Sequence, residues 1–206
     1  MFSDSRKEIK FTFNNKSNFY INKYIKKKNN LKKLYPNREI NSIYYDNDEL
    51  SNADDNLIGL SDRRKYRVRW YPENLNFNFE LKMKKNDLTI KKTLFQGTLN
   101  KKFKINDNKI LHFLKRKNLK QICLVRYIRS YYYYNNLRIT FDKNLEYTSF
   151  IYNSRIKRVK TNEQVIEIKY RNLNEVDYKF LKNFFMTRTR NSKYLNALNN
   201  LGILYF

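Results

Sequence analysis

The stretch Lys65-Tyr66-Arg67-Val68-Arg69-Trp70 alternates cationic and apolar residues without a break. Side chains two apart on a strand share a face, so Lys65, Arg67 and Arg69 fall on one side and Tyr66, Val68 and Trp70 on the other. The second set is a core face. The first, taken alone, is what the wetted side of an antiparallel sheet can carry. Other segments repeat the pattern, however. Glu80-Leu81-Lys82-Met83-Lys84 places Glu80, Lys82 and Lys84 together, and Val165-Ile166-Glu167-Ile168-Lys169-Tyr170 does the same for Glu167 and Lys169. Arg129 lies in Val125-Arg126-Tyr127-Ile128-Arg129, and Arg138 in Leu137-Arg138-Ile139-Thr140-Phe141-Asp142.

The tripeptide Glu-apolar-Lys occurs in three separate strand-like segments, as Glu8-Ile9-Lys10, Glu80-Leu81-Lys82 and Glu167-Ile168-Lys169. A solvated face normally mixes hydroxyls, amides and both charge signs, whereas here cations dominate with one carboxylate recurring beside them. If the sheet curls into a barrel, these faces converge on a lumen of cations with a few acids. Such a lumen suits a phosphate chain, because guanidinium forks bind phosphate oxygens bidentately and a carboxylate can hold a divalent ion.

Around these segments the pattern predicts strands over 6–13, 41–45, 63–71, 76–84, 88–96, 120–134, 136–143, 145–153 and 163–171. Helical spacing marks 17–35, 106–118, 173–186 and 192–201, and the Asp- and Asn-rich stretch 46–62 reads as a loop. Asn135-Asn136 is a candidate two-residue hairpin turn. No internal repeat and no linker interrupts the chain, so residues 1–206 are expected to form a single domain. The class is α+β: a mostly antiparallel sheet of about eight strands with a few helices outside it.

Composition narrows the function. The chain has 206 residues and a formal net charge of +25. Ordinary enzymes of neutral metabolites do not carry such a charge, which points to a polyanionic partner. Asn occurs 31 times, and Lys, Ile, Tyr and Phe are abundant, a bias expected of AT-rich coding. The arginines run against that bias, so their positions say more than those of the lysines. With Gly 3 and Pro 2 the chain is poor in loop formers, and it contains neither a P-loop nor a dinucleotide-binding glycine pattern.

Cys123 is the sole cysteine and His112 the sole histidine. Cys123, in Ile122-Cys123-Leu124-Val125, reads as a buried small hydrophobe, and His112 as a helix-face residue. A triad or a zinc site has no ligands to draw on, and the lack of a disulfide fits a reducing compartment. No apolar run is long enough to span a membrane and the N-terminus carries no signal-peptide pattern, so a cytoplasmic location is expected.

The ordered set Arg6-Lys7-Glu8-Ile9-Lys10-Phe11, Ile43-Tyr44-Tyr45-Asp46, Arg67-Val68-Arg69-Trp70-Tyr71, Phe79-Glu80-Leu81-Lys82, Tyr127-Ile128-Arg129, Arg138-Ile139-Thr140-Phe141-Asp142, Val165-Ile166-Glu167-Ile168-Lys169 and Ser192-Lys193-Tyr194 resembles the VTC domain. That is the polyphosphate polymerase domain of the vacuolar transporter chaperone type, in the triphosphate tunnel metalloenzyme (CYTH-like) superfamily. The resemblance runs from about residue 6 to 201 and implies an eight-stranded antiparallel β-barrel tunnel with flanking helices. It further implies transfer of the γ-phosphoryl group of ATP to a growing inorganic polyphosphate chain.

By this resemblance Arg67, Arg69, Lys82, Arg129 and Arg138 are the expected catalytic cations. Lys10, Lys91, Arg190 and Lys193 would bind phosphate, and Glu167 would hold Mn²⁺ or Mg²⁺. Lys92 is adjacent to Lys91, and Arg190 stands where the family has a lysine. The expected partners are ATP and inorganic polyphosphate; nucleic acid is not expected as the primary one, and no membrane translocation is carried over. Two rival readings stand beside this one. A tunnel-type tripolyphosphatase or nucleoside or RNA triphosphatase would use more acids than the first strand supplies. A noncatalytic binder of polyphosphate or nucleic acid would exploit the charge and Tyr131-Tyr132-Tyr133-Tyr134, although a strand puts two of those rings on each face and one pair is expected in the core.

Overall fold

The computed structural model describes residues 7–13, 31–85, 88–100, 105–135, 137–151, 157–170 and 188–206. Its strands are β1 (Lys7–Phe13), β2 (Lys32–Asp46), β3 (Asp62–Tyr71), β4 (Asn74–Lys85), β5 (Leu88–Thr98), β6 (Lys120–Tyr134), β7 (Leu137–Ser149), β8 (Arg158–Lys160) and β9 (Gln164–Tyr170). All pairings are antiparallel. The nine-stranded sheet runs β1-β9-β7-β6-β2-β3-β4-β5, with β8 added beside β7. The described helices are α1 (Ser51–Leu57), α2 (Asn108–Arg116) and α3 (Lys193–Asn200).

The sheet does not close. The expected eight-stranded barrel is in fact an open sheet of nine strands, with β1 and β5 at the ends of the order. Accumulated twist nevertheless curls it. Lys82 Nζ on β4, one strand in from the β5 end, donates to Glu8 Oε2 on β1 at 3.1 Å, so side chains of the two halves of the curled sheet meet across its inner face.

Alternation sorts the strands as the sequence implies. Tyr66, Val68 and Trp70 are buried, and they pack with Ile43, Tyr45, Phe77 and Phe79 against Ile110 and Leu114 of α2. Those two helical residues are four apart and face one way. Asp107 caps α2, its carboxylate accepting from the Lys109 and Ile110 amides at 2.8 and 3.2 Å. Ile9, Phe11, Ile139, Ile166 and Ile168 form a second core behind β1, β9 and β7. A third lies on the inner face, where α3 sets Tyr194, Leu195 and Leu198 against Tyr44, Val125, Tyr127 and Leu145. Helix α3 thus plugs one end of the curl and leaves its N-terminus facing the remaining space.

Several local expectations are corrected. Residues 32–35, expected at the end of a helix, belong to β2, because this stretch pairs with Tyr131–Tyr133 of β6. The rest of that helix, over 17–30, and the helix expected at 173–186 lie outside the described residues. The loop expected at 46–62 contains α1. Buried Asp46 starts it, taking the Asn52 and Ala53 amides at 3.1 and 3.0 Å and the Tyr194 hydroxyl at 2.8 Å. One long β7 replaces two strands, with Asn144 at φ 56° opposite a register shift in β6. Asn135, at φ 41°, turns the chain between the paired Tyr134 and Leu137 as expected.

Candidate functional site

The inner face holds an open polar cavity of about 520 Å³, its mouth included. Among the described residues eight cations line it: Lys65, Arg67 and Arg69 from β3, Lys10 from β1, Lys82 from β4, Arg129 from β6, Lys169 from β9 and Lys193 from α3. Glu167 is the one carboxylate among the described lining residues, beside Tyr44, Tyr127 and Ser192. Three further carboxylates stand among these cations and are committed to them. Alternation brings all of this about, since each strand contributes every second residue to the same side.

Glu80 takes Arg67 at 2.8 Å (Nε) and 2.6 Å (Nη2), and Lys91 at 3.0 Å. Burial works to raise its carboxyl, but Arg67, Arg69 and Lys91 hold it down to about 2. Asp142 is fully buried and accepts Arg129 Nε and Nη2 at 2.6 and 2.7 Å, with Lys193 Nζ at 2.6 Å. Burial raises this carboxyl too, and Arg129 and Lys193 overcome it and keep it below its ordinary value. Glu8 ties together Lys82 at 3.1 Å, Lys169 at 3.4 Å and Lys10 at 3.8 Å.

Glu167 meets Arg129 Nη2 at 3.3 Å and Lys169 Nζ at 3.7 Å. Burial opposes its charge, but Lys169, Lys10, Arg129 and Lys82 keep it ionised far below the usual carboxylate range. Among the described residues no three acids, histidines or cysteines gather into a metal cage. Glu167 fits a divalent ion in a different way, as one oxygen ligand to an ion whose other ligands are phosphate oxygens and water, as is usual for Mg²⁺.

Burial disfavours the charge of two lining lysines, Lys65 and Lys82. Burial lowers the Lys82 ammonium to about 8, although Glu8 resists. Lys65 Nζ donates to Ser192 Oγ at 2.9 Å and pairs with no carboxylate among the described residues. Burial, then Lys10 and Lys82, push it well below the ordinary lysine value. Tyr127 lies between cations, with Arg129 5.3 Å and Lys193 4.9 Å from its ring centre and Arg69 donating to its hydroxyl at 3.2 Å. Burial raises its phenol, but Arg129 and Arg69 outweigh that and bring it below the ordinary value.

Of the residues singled out from sequence, Lys10, Arg67, Arg69, Lys82, Arg129, Glu167 and Lys193 converge on the cavity. Lys91 stands opposite Lys82 in the ladder and reaches Glu80, so it, rather than Lys92, shares the inner face. Arg138 is opposite Lys169 in register but sits exposed at the rim, 5.7 Å from the Tyr131 ring centre. Arg190 is exposed and lies against Gly59 and toward Arg63, away from the cavity. The sequence shortlist omitted Lys65, Lys169, Tyr127, Ser192 and Asp142. Lys65 and Lys169 were readable as same-face neighbours of Arg67 and Glu167, and Tyr127 as that of Arg129. Nothing short of the β6–β7 register reveals that Asp142 anchors Arg129.

A second cavity at the β6–β7 shift is lined by Glu39, Arg126, Glu146 and Lys160 among others. Its charges are already paired with each other, with Glu39–Arg126 at 3.3 Å and Glu146–Arg158 at 2.6 Å. It has no excess of one sign to offer a ligand.

Solved structures share the fold. A candidate adenylate cyclase from Vibrio parahaemolyticus is 13% identical, covering 95% of this chain and 99% of its own with a TM-score of 0.57. The PH1819 protein from Pyrococcus horikoshii is 15% identical, with coverages of 94% and 98% and a TM-score of 0.55. A candidate adenylate cyclase from Bacillus halodurans is 12% identical, with coverages of 100% and 94% and a TM-score of 0.52. The chain therefore shares its architecture with these proteins. No curated protein sequence matches. The model of the VTC domain matches residues 5–201, and the chain belongs to the VTC domain family.

Among the described residues no helix is long and apolar enough to cross a membrane.

Proposed function

We propose that this chain is a polyphosphate polymerase, transferring the γ-phosphoryl group of ATP to the end of an inorganic polyphosphate chain. The observation that carries this reading is the cavity wall: among the described residues, eight cations outnumber the carboxylates beside them, in a chain of the VTC domain family. With Glu8, Glu80 and Asp142 counted beside Glu167, the eight lining cations keep an excess of four positive charges among the described residues, which a phosphate chain neutralises, and phosphoryl transfer needs positioning and charge neutralisation more than a protein nucleophile.

In the reaction the bond between Pγ and the bridging oxygen of ADP breaks, and a terminal phosphate oxygen of the acceptor bonds to Pγ. The electron pair leaves on ADP. Arg67, Arg69 and Arg129 clamp non-bridging oxygens, and their charge stabilises the transition state. Their carboxylate partners Glu80 and Asp142 hold the forks in place before substrate arrives. Lys10, Lys82, Lys91, Lys169 and Lys193 extend the cationic track, while Arg138 extends it at the rim. Glu167 would be the protein ligand of Mn²⁺ or Mg²⁺, which when bound supplies Lewis-acid neutralisation of phosphate charge.

One further observation favours transfer over hydrolysis. The acceptor is already an oxyanion and needs no base, whereas water must be deprotonated. Glu80 and Glu167, held far below their ordinary values by cations, are poor bases.

The test is purified protein with ATP and Mn²⁺, resolved for polyphosphate ladders beside ADP and free phosphate. Polymerase activity gives a ladder that disappears in Glu167→Gln. Free phosphate without a ladder means a triphosphatase. Binding of tripolyphosphate without either product means a noncatalytic binder.

A further inference from the structure

The inner face does not end at the basic cavity. Beyond Arg129 it continues into aromatic rings and guanidinium groups. Tyr131 is two residues on from Arg129 and shares its face, about 7 Å further along the strand. Across the ladder, Arg38 stands opposite Arg129 and Tyr35 opposite Tyr131. The rings and guanidiniums are already in contact. Tyr35 meets Tyr131 edge to face at 5.7 Å, Arg38 lies 5.4 Å from the Tyr35 ring centre and 5.8 Å from that of Tyr71, and Arg138 lies 5.7 Å from that of Tyr131.

Exposure divides this group. Tyr131 is buried, 5% exposed, whereas Tyr35 is 47% exposed and Arg38 and Arg138 are exposed as well. A large aromatic half open to solvent, with a guanidinium on it and a phosphate-binding cavity next to it, is the equipment for stacking a flat heterocycle. The four-tyrosine run thereby divides its roles, since Tyr132 and Tyr134 pack in the core behind the sheet.

We propose that Tyr35 and Arg38, backed by the buried Tyr131 and by Tyr71, form the nucleobase subsite of a nucleoside triphosphate whose phosphates occupy the basic cavity. This rests on the phosphate-binding reading above and adds to it what distinguishes a nucleotide donor from bare polyphosphate. Stacking uses ring faces, so the subsite holds the donor without reading the base edges.

The experiment is calorimetric titration of ATP and of inorganic tripolyphosphate into the full chain and into Tyr35→Ser and Arg38→Gln. Both positions are exposed, and thermal unfolding of each variant checks that it folds. The expected result is a roughly tenfold loss of ATP affinity in either variant, with tripolyphosphate affinity changed less than twofold. Equal losses for both ligands, or no loss for either, overturn the subsite and leave the phosphate reading standing. Failure of the unaltered protein to bind either ligand overturns both.

Discussion

Replacing Glu80 by Gln keeps the side-chain volume and removes one buried charge from between Arg67 and Lys91. Glu80 is 3% exposed, so solvent screens the interaction little. Its carboxyl is held at about 2 against an ordinary 4.5. At 1.36 kcal/mol per unit this difference amounts to about 3 kcal/mol, in line with the 3–5 kcal/mol typical of breaking a buried pair. For a chain of this size the loss lowers Tm by about 6–12 °C at pH 7. The sign with pH follows from the direction of the shift. A depressed carboxyl contributes all its stability above the unfolded value of 4.5 and loses it as pH falls toward the folded value of about 2. The gap between wild type and Glu80→Gln therefore stays constant from pH 7 to 5 and narrows below 4.5. Urea unfolding of both proteins at pH 7, 5 and 3.5 measures it. A gap that is under 1 kcal/mol at pH 7, or that is as wide at pH 3.5 as at pH 7, refutes the account of Glu80 as the anchor of Arg67.

Asp142→Asn should be at least as damaging, costing about 3–5 kcal/mol, because it strands Arg129 and Lys193 together. Added tripolyphosphate should restore more Tm in this variant than in wild type; equal gains count against those cations facing the ligand. Tripolyphosphate affinity should fall as pH rises past about 8, where Lys82 loses its proton, and Lys82→Arg should flatten that dependence. A pH profile unchanged by Lys82→Arg removes Lys82 from the explanation. Cys123 is completely buried and its thiol is pushed up by burial, so iodoacetamide should label it only after urea unfolding. Labelling of the native protein within minutes contradicts the inner core around α3.

The parts of this molecule legible in its sequence are those that depend on alternation alone. Lys65, Arg67 and Arg69 fall on one side and Tyr66, Val68 and Trp70 on the other because a strand permits nothing else. The three Glu-apolar-Lys tripeptides all proved to be inner-face pairs for the same reason. Periodicity misled at the end of the stretch 17–35, where residues 32–35 join a ladder with β6. Propensity is a weak prior beside such pairing. The helix at Ser51–Leu57 was hidden because its first amides are taken by Asp46 and Asn47, upstream of the helix, rather than by an N-cap side chain.

Partnership is the part that alternation cannot supply. Glu80 sits beside Lys82 in the chain, yet it takes Arg67 from β3 and Lys91 from β5. Glu8 likewise reaches Lys82 on a strand that is not its neighbour in the sheet, a contact made only because the open sheet curls. Each inner-face acid thus serves as a spacer that holds two or three cations apart while drawing down only part of their charge. Among the described residues Lys65 and Arg69 mark the limit of that device, for Lys65 has Ser192, Arg69 has Ser42 and Tyr127, and neither is ion-paired with an acid. A buried charge without an acid beside it costs the folded protein stability, and an arriving polyanion is what recovers it. Lys65→Met should accordingly raise Tm and weaken tripolyphosphate binding together. A variant that gained stability with no loss of affinity would mean that the excess charge serves something other than the anion.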